Sequence, residues 1–109
     1  MKMRTLADIQ RELDHLIKEE WHSDYWPPLA NLARLTEEVG ELAREINHTY
    51  GPKPKKSGEA QGSIAAEMAD ILCTLALMAN AFEIDLNAAF EEVMAKYQQR
   101  DAKRWTPDD

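Results

Sequence analysis

The chain has a single cysteine, Cys73, in 109 residues, so no intrachain disulfide can form. Cys73 lies in an apolar stretch, where a buried structural thiol is the expected role. Only four glycines and five prolines occur, and β-branched runs are missing, which argues against a sheet and for helices. No stretch reaches the ~20 apolar residues that span a bilayer. The segment Met1–Ile9 carries charge but no apolar core of a signal peptide, so a cytoplasmic location is expected. Basic residues are in the minority, 13 against 20 acidic ones, for a net charge of -7. Such a surface repels nucleic acid and anionic membranes. It also repels a nucleotide, so any nucleotide function has to rest on a metal ion.

What is present is helical periodicity. At 109 residues the chain is expected to form one domain, 1–109, with one core. Leu6, Ile9, Leu13, Leu16 and Ile17 make one apolar stripe, predicting a helix from Leu6 to Glu20 with Thr5 as N-cap. An aromatic segment, WHSDYWPP, follows and breaks at Pro27–Pro28. A second helix is predicted from Leu29 to His48, with Leu32, Leu35, Val39, Leu42 and Ile46 on its stripe. Residues 49–63 have no helical or strand period and carry Lys53, Lys55 and Lys56, predicting a flexible basic loop. A third helix, Ile64 to Phe82, is apolar nearly all round and is expected to be the most buried. A fourth, Asp85 to Arg100, begins at a plausible N-cap. The short link between helices 3 and 4 predicts antiparallel neighbours. The expected fold class is all-α, a four-helix bundle or close variant.

Two helices carry acids at a spacing that shares a face. Helix 2 carries Glu37, Glu38 and Glu41; helix 3 carries Glu67 and Asp70. Residues three or four apart share a helix face, so each helix can aim two carboxylates at one point. At ~100° per residue, Glu38 and Glu41 flank the apolar stripe, whereas Glu37 points nearly opposite it, towards solvent. A lone Glu-x-x-Glu is ordinarily a solvated face. Glu67 and Asp70 differ: on so apolar a helix two unpaired carboxylates are costly, and no Lys or Arg lies between Lys56 and Lys96. A compensating cation is required. Four carboxylates suit a hard ion, Mg²⁺ or Mn²⁺, rather than zinc.

These segments resemble the MazG-like nucleoside triphosphate pyrophosphohydrolases, within the all-α family that includes dimeric dUTPases and dCTP pyrophosphatases. Their signature, Glu-Glu-x-x-Glu followed by Glu-x-x-Asp, reads here as Glu37-Glu38-Val39-Gly40-Glu41 and Glu67-Met68-Ala69-Asp70. The flanking LARLTEEVGELAREINHTYGPKPKK and KYQQRDAKRW are similar to the short, single-domain bacterial branch. The resemblance implies hydrolysis of a (deoxy)nucleoside triphosphate to the monophosphate and pyrophosphate, with a house-cleaning role among non-standard nucleotides as one form. It implies Glu38, Glu41, Glu67 and Asp70 as metal ligands, and Glu37 as the first motif position. Glu41 is the favoured proton acceptor and Glu37 the other candidate.

The resemblance also points to Lys96 and Arg100 as a phosphate-binding pair, though a basic helix end complementing the dipole explains them equally well. Lys53 and Lys56 can close on phosphates or simply be solvated. Trp21, His22 and Trp26 are candidates for the base pocket, by stacking, and the aromatics are as readily a plug or an interface. Relatives imply a homodimer or homotetramer with sites between subunits. Two other readings stay open. Glu12/His15, Glu19/His22 and Glu45/His48 repeat the Glu-x-x-His of di-iron carboxylate bundles, and a non-catalytic helical interaction module needs no metal at all.

Overall fold

The computed structural model describes residues 2–52 and 62–101. Four helices follow in chain order: α1, Leu6–His15; α2, Pro28–Tyr50; α3, Ile64–Ala81; and α4, Leu86–Asp101. No strand occurs among the described residues, and the all-α, four-helix expectation holds.

The helix starts follow from local chemistry. Thr5 closes a capping box: its hydroxyl accepts from the Asp8 N–H at 3.0 Å, and the Asp8 carboxylate accepts from the Thr5 N–H at 2.9 Å. α1 does not stop cleanly. Residues Leu16–Glu20 continue it as a π-helical turn, in which the Trp21 N–H donates to the Leu16 carbonyl at 2.9 Å. The turn ends at His22, whose φ of 48° is left-handed. Pro28 opens α2, where a missing N–H costs nothing. The Ser63 hydroxyl caps α3 by accepting from the Ala66 N–H at 2.9 Å, and Asp85 caps α4 through the Asn87 and Ala88 N–H groups. Gly62 enters α3 hard against α2: a Cβ there would lie 2.5 Å from a Glu45 carboxylate oxygen.

α3 ends in a Schellman turn. The Ile84 N–H donates to the Ala79 carbonyl at 2.8 Å, and Glu83 takes the left-handed position with φ of 56°. Glycine usually fills that position, and none stands here, so the turn has no sequence signal.

α3 packs against α2 and α1, and α4 rests on α1. The expected antiparallel pairing of helices 3 and 4 is therefore not what the fold adopts: the turn at Glu83 sends α4 to α1 instead. That corrects a second expectation. α3 buries Thr74, Ala76 and Ala79, but Met68, Leu72 and Leu75, and Phe82 just after it, are exposed, since no helix among the described residues covers that side. Cys73 is only half-buried. By length and composition α3 is apolar enough to cross a bilayer, yet it packs on α1 and α2 and carries Glu67 and Asp70. Leu29, Leu32, Phe90 and Tyr97 are also half or more exposed.

The junction of α1, α3 and the α3–α4 turn is polar. The Gln10 amide donates to the Asn80 side chain at 3.0 Å and to the Ile84 carbonyl at 2.8 Å, and its oxygen accepts from the Leu86 N–H at 3.0 Å. Asn80 in turn donates to the Gln10 carbonyl at 2.9 Å. Gln10 is buried, so each bond lost would strand a desolvated group. Gln10→Ala is expected to destabilise the fold by about 2–3 kcal/mol, read from urea unfolding followed by circular dichroism. A change below a few tenths of that would mean water replaces the amide.

Candidate metal centre

α2 and α3 lie side by side, and their facing turns carry the acids. One carboxylate oxygen each from Glu38, Glu67 and Asp70 falls within 4.8 Å of the other two. Oxygens sharing one Mg²⁺ in an octahedron are separated by up to about 4 Å, so small side-chain adjustments suffice. Glu41, one turn along α2, stands against Glu67. The Glu38 side chain is only 16% exposed. Its Oε2 and the Oε2 of Glu67 are buried and have no hydrogen-bond partner.

Burial pushes the Glu67 carboxyl above its usual range. The negative charges of Glu41 and Asp70, a hydrogen bond with Glu41 and the charge of Glu38 push it the same way. Orphaned carboxylate oxygens converging from two helices form a donor set for a hard divalent cation.

The four acids are not equivalent. Asp70 is exposed and Glu67 half-buried, whereas helix 3 was expected to deny both of them solvent. The reason is again the uncovered side of α3. Glu41 is exposed and reaches the cluster through Glu67. Glu37 is exposed and outside the three-carboxylate group, as the helical wheel predicts. No histidine joins that group among the described residues, which removes the distinguishing feature of the di-iron reading.

The other candidate residues lie elsewhere. Lys96 and Arg100 sit on α4, whose packing partner is α1 rather than α2, so the fold of one chain does not seat them at the carboxylates. Arg100 lies over the Tyr97 ring at 5.8 Å. Lys53, Lys55 and Lys56 fall outside the described residues, as do Lys103, Arg104 and Trp105. The aromatic segment divides. Tyr25 turns to α1, where its hydroxyl donates to Asp14 and Lys18 lies over its ring; burial and that hydrogen bond push its pKa up to about 12. Trp26 is half-exposed and turns to α2, its carbonyl held by the buried Asn31 amide at 3.2 Å. Trp21 is exposed, and His22 occupies the left-handed turn beside it.

Two residues escape sequence reasoning. Asn31 reads as an ordinary polar position in an amphipathic helix. Arg34 reads as solvated, yet its guanidinium lies 5.4 Å above the Trp26 ring, with Nε 3.9 Å from Glu38 Oε1. Their i, i+3 and i, i+4 relation to one another and to Glu38 is the signal that could have found them. Two clefts, of about 660 and 380 Å³, run along α1 and include none of the clustered carboxylates. The acid cluster is instead an open seam between α2 and α3.

Residues 27–105 match the MazG nucleotide pyrophosphohydrolase domain. The chain is 48% identical to the uncharacterised protein YpjD of Bacillus subtilis strain 168, over 97% of this chain and 95% of that one. It is 28% identical to the uncharacterised YvdC of the same organism, over 92% and 95%. The crystal structure of Bacillus subtilis YPJD, described as a candidate pyrophosphatase, superposes with a TM-score of 0.80 at 46% identity. It covers 93% of this chain and all of that one. A Bacillus-conserved MazG protein, described as a nucleotide pyrophosphohydrolase, superposes with a TM-score of 0.73 at 43% identity, over 89% and 93%.

Because the fold raises the Glu67 pKa, the folded chain retains a proton that the unfolded chain has already released. Metal-free stability should therefore fall as pH rises from the ordinary Glu value, about 4.3, through the raised one. Glu67→Gln should melt higher than wild type at neutral pH in EDTA and show a flatter pH dependence. It should also lose the stabilisation that Mg²⁺ or Mn²⁺ gives the wild type. Parallel melting curves with and without metal check all three; an unchanged pH profile would mean the cluster is relaxed in solution.

Proposed function

The chain belongs to the MazG nucleotide pyrophosphohydrolase family and is a hydrolase of that kind, and on that premise we propose that it splits (deoxy)nucleoside triphosphates into the monophosphate and pyrophosphate with Mg²⁺ as its working ion. The observation that carries this reading is the convergence of Glu38, Glu67 and Asp70 with two buried, unpartnered oxygens. Acids so placed suit a hard cation. Glu41, facing Glu67 across the seam, completes the set of four ligands; Mn²⁺ would satisfy the same donors.

Bound Mg²⁺ supplies neutralisation of the triphosphate and a water of lowered pKa. The protein's own contribution is to orient and to move a proton. Glu41, exposed yet adjacent to Glu67, is the favoured acceptor. Glu37 is second, since it faces solvent one turn away. Lys96 and Arg100 bind phosphate, with Lys53 and Lys56 closing from the loop, while Trp21, His22 and Trp26 hold the base. Clearing non-standard nucleotides in the cytoplasm is the role we favour, without nucleic-acid or membrane partners.

A second copy belongs to this reading. Leu72 and Leu75 on α3, Phe82 at its C-cap, and Phe90, Val93 and Tyr97 on α4 are 39–52% exposed. So much open apolar surface on one small chain calls for cover. A homodimer or homotetramer supplies it and allows the partner's α4 to bring its basic pair to the seam.

A panel of standard and damaged (d)NTPs with Mg²⁺, scored for pyrophosphate release, tests the activity. Glu67→Ala or Asp70→Ala should lower turnover by about 100-fold or more in a protein with unchanged circular dichroism. Near-normal rates in either variant would sink the metal assignment. Light scattering behind size exclusion should show a mass at least twice the 12.5 kDa of one chain.

A further inference from the structure

Arg34 occupies a position between the two halves of the proposed site. Its guanidinium lies above the Trp26 ring, 5.4 Å from Cζ to the centroid. Its Nε is 3.9 Å from Glu38 Oε1, beyond hydrogen-bonding distance. The Arg34 side chain makes no hydrogen bond among the described residues. The Trp26 backbone carbonyl accepts from the amide of Asn31, itself 5% exposed, which ties this residue to the start of α2. Asn31, Arg34 and Glu38 follow each other along one face of α2.

A guanidinium held over an indole and near an acid, with no hydrogen bond to either, keeps its fork of N–H donors uncommitted. Such a group suits a phosphate or a second carboxylate. Its link to Glu38 is loose and partly solvated, hence weak. A hard dication attracts a carboxylate far more strongly than this. Glu38 therefore has two suitors, the metal on one side and Arg34 on the other, and it cannot serve both fully.

We propose that Arg34 is a substrate-positioning residue that exchanges partners: it neutralises Glu38 while the metal is absent and, once Glu38 is engaged by metal, turns its fork to the nucleotide's phosphate chain without leaving Trp26. This rests on the pyrophosphohydrolase reading for its substrate, but not for its first half. Arg34 competes with the metal for Glu38, so in the absence of nucleotide its removal should help the metal. With nucleotide present its removal should weaken binding. A residue that merely steadied Glu38 for the metal, or merely supported the helix, would show neither opposition.

The experiment is a Mn²⁺ titration by calorimetry of metal-free wild type, Arg34→Gln and Arg34→Lys, followed by nucleotide binding. Arg34→Gln should bind Mn²⁺ about threefold more tightly than wild type. It should bind an α,β-imido nucleoside triphosphate about tenfold more weakly in saturating Mg²⁺. On a hydrolysed nucleotide KM should rise by a similar factor, with kcat within about twofold. Arg34→Lys, which keeps the charge but not the fork, should restore the wild-type Mn²⁺ affinity and only part of the nucleotide affinity. Unchanged or weaker Mn²⁺ binding in Arg34→Gln, or unchanged nucleotide binding, overturns the proposal. If the wild type hydrolyses no nucleotide at all, the function proposed above fails, while the Mn²⁺ titration still decides whether Arg34 competes for Glu38.

Discussion

Carboxylates repel one another, and α2 and α3 nonetheless press theirs together. Glu38, Glu67 and Asp70 share a space only 4.8 Å across, with Glu41 against Glu67. Arg34 approaches Glu38 only loosely, its Nε 3.9 Å from Oε1. The arrangement is tolerable because the helices are held by other means: the packing of α3 on α2 and α1, the close entry of Gly62 beside Glu45, and the cap at Ser63. The packing supplies the stability, and the site spends some of it in keeping like charges poised for a cation. Raised proton affinity at Glu67 and buried oxygens without partners are two expressions of that one constraint.

Much of this was legible in the residue order. The four helices, Thr5 and Asp85 as caps, the break at Pro27–Pro28 and the two acid pairs follow from periodicity and spacing. So does the solvent-facing position of Glu37. What escaped was set by tertiary choices. The π-helical turn at Leu16–Glu20 leaves no mark in a stripe whose spacing suits an ordinary helix. The turn at Glu83 uses a left-handed residue that is not glycine, so the departure of α4 from α3 was hidden. Once α4 leaves, one side of α3 stays open, and Asp70 is exposed even though its neighbours in sequence are apolar. Arg34 and Asn31 were invisible for a related reason: a helix surface pattern does not reveal that the preceding loop folds back to lay Trp26 across it.

The same departure of α4 links the two incomplete aspects of the chain. Lys96 and Arg100 stand on a helix that packs on α1, and apolar side chains of α3 and α4 are exposed. A bare seam of acids and exposed apolar side chains are what the proposed assembly would complete. Charge and hydrophobicity, usually treated as separate questions, here ask for the same neighbour.

Gln10 joins partners 70, 74 and 76 residues further along the chain. A ribosome making this protein therefore makes α1 well before its main packing partner, α3, and the start of α4. α1 must wait, its apolar stripe uncovered, until the start of α4 has emerged. Docking of the first helix is thus a late event, with the long loop closure that slows folding, and the nascent chain spends nearly its whole synthesis with that surface exposed to chaperones.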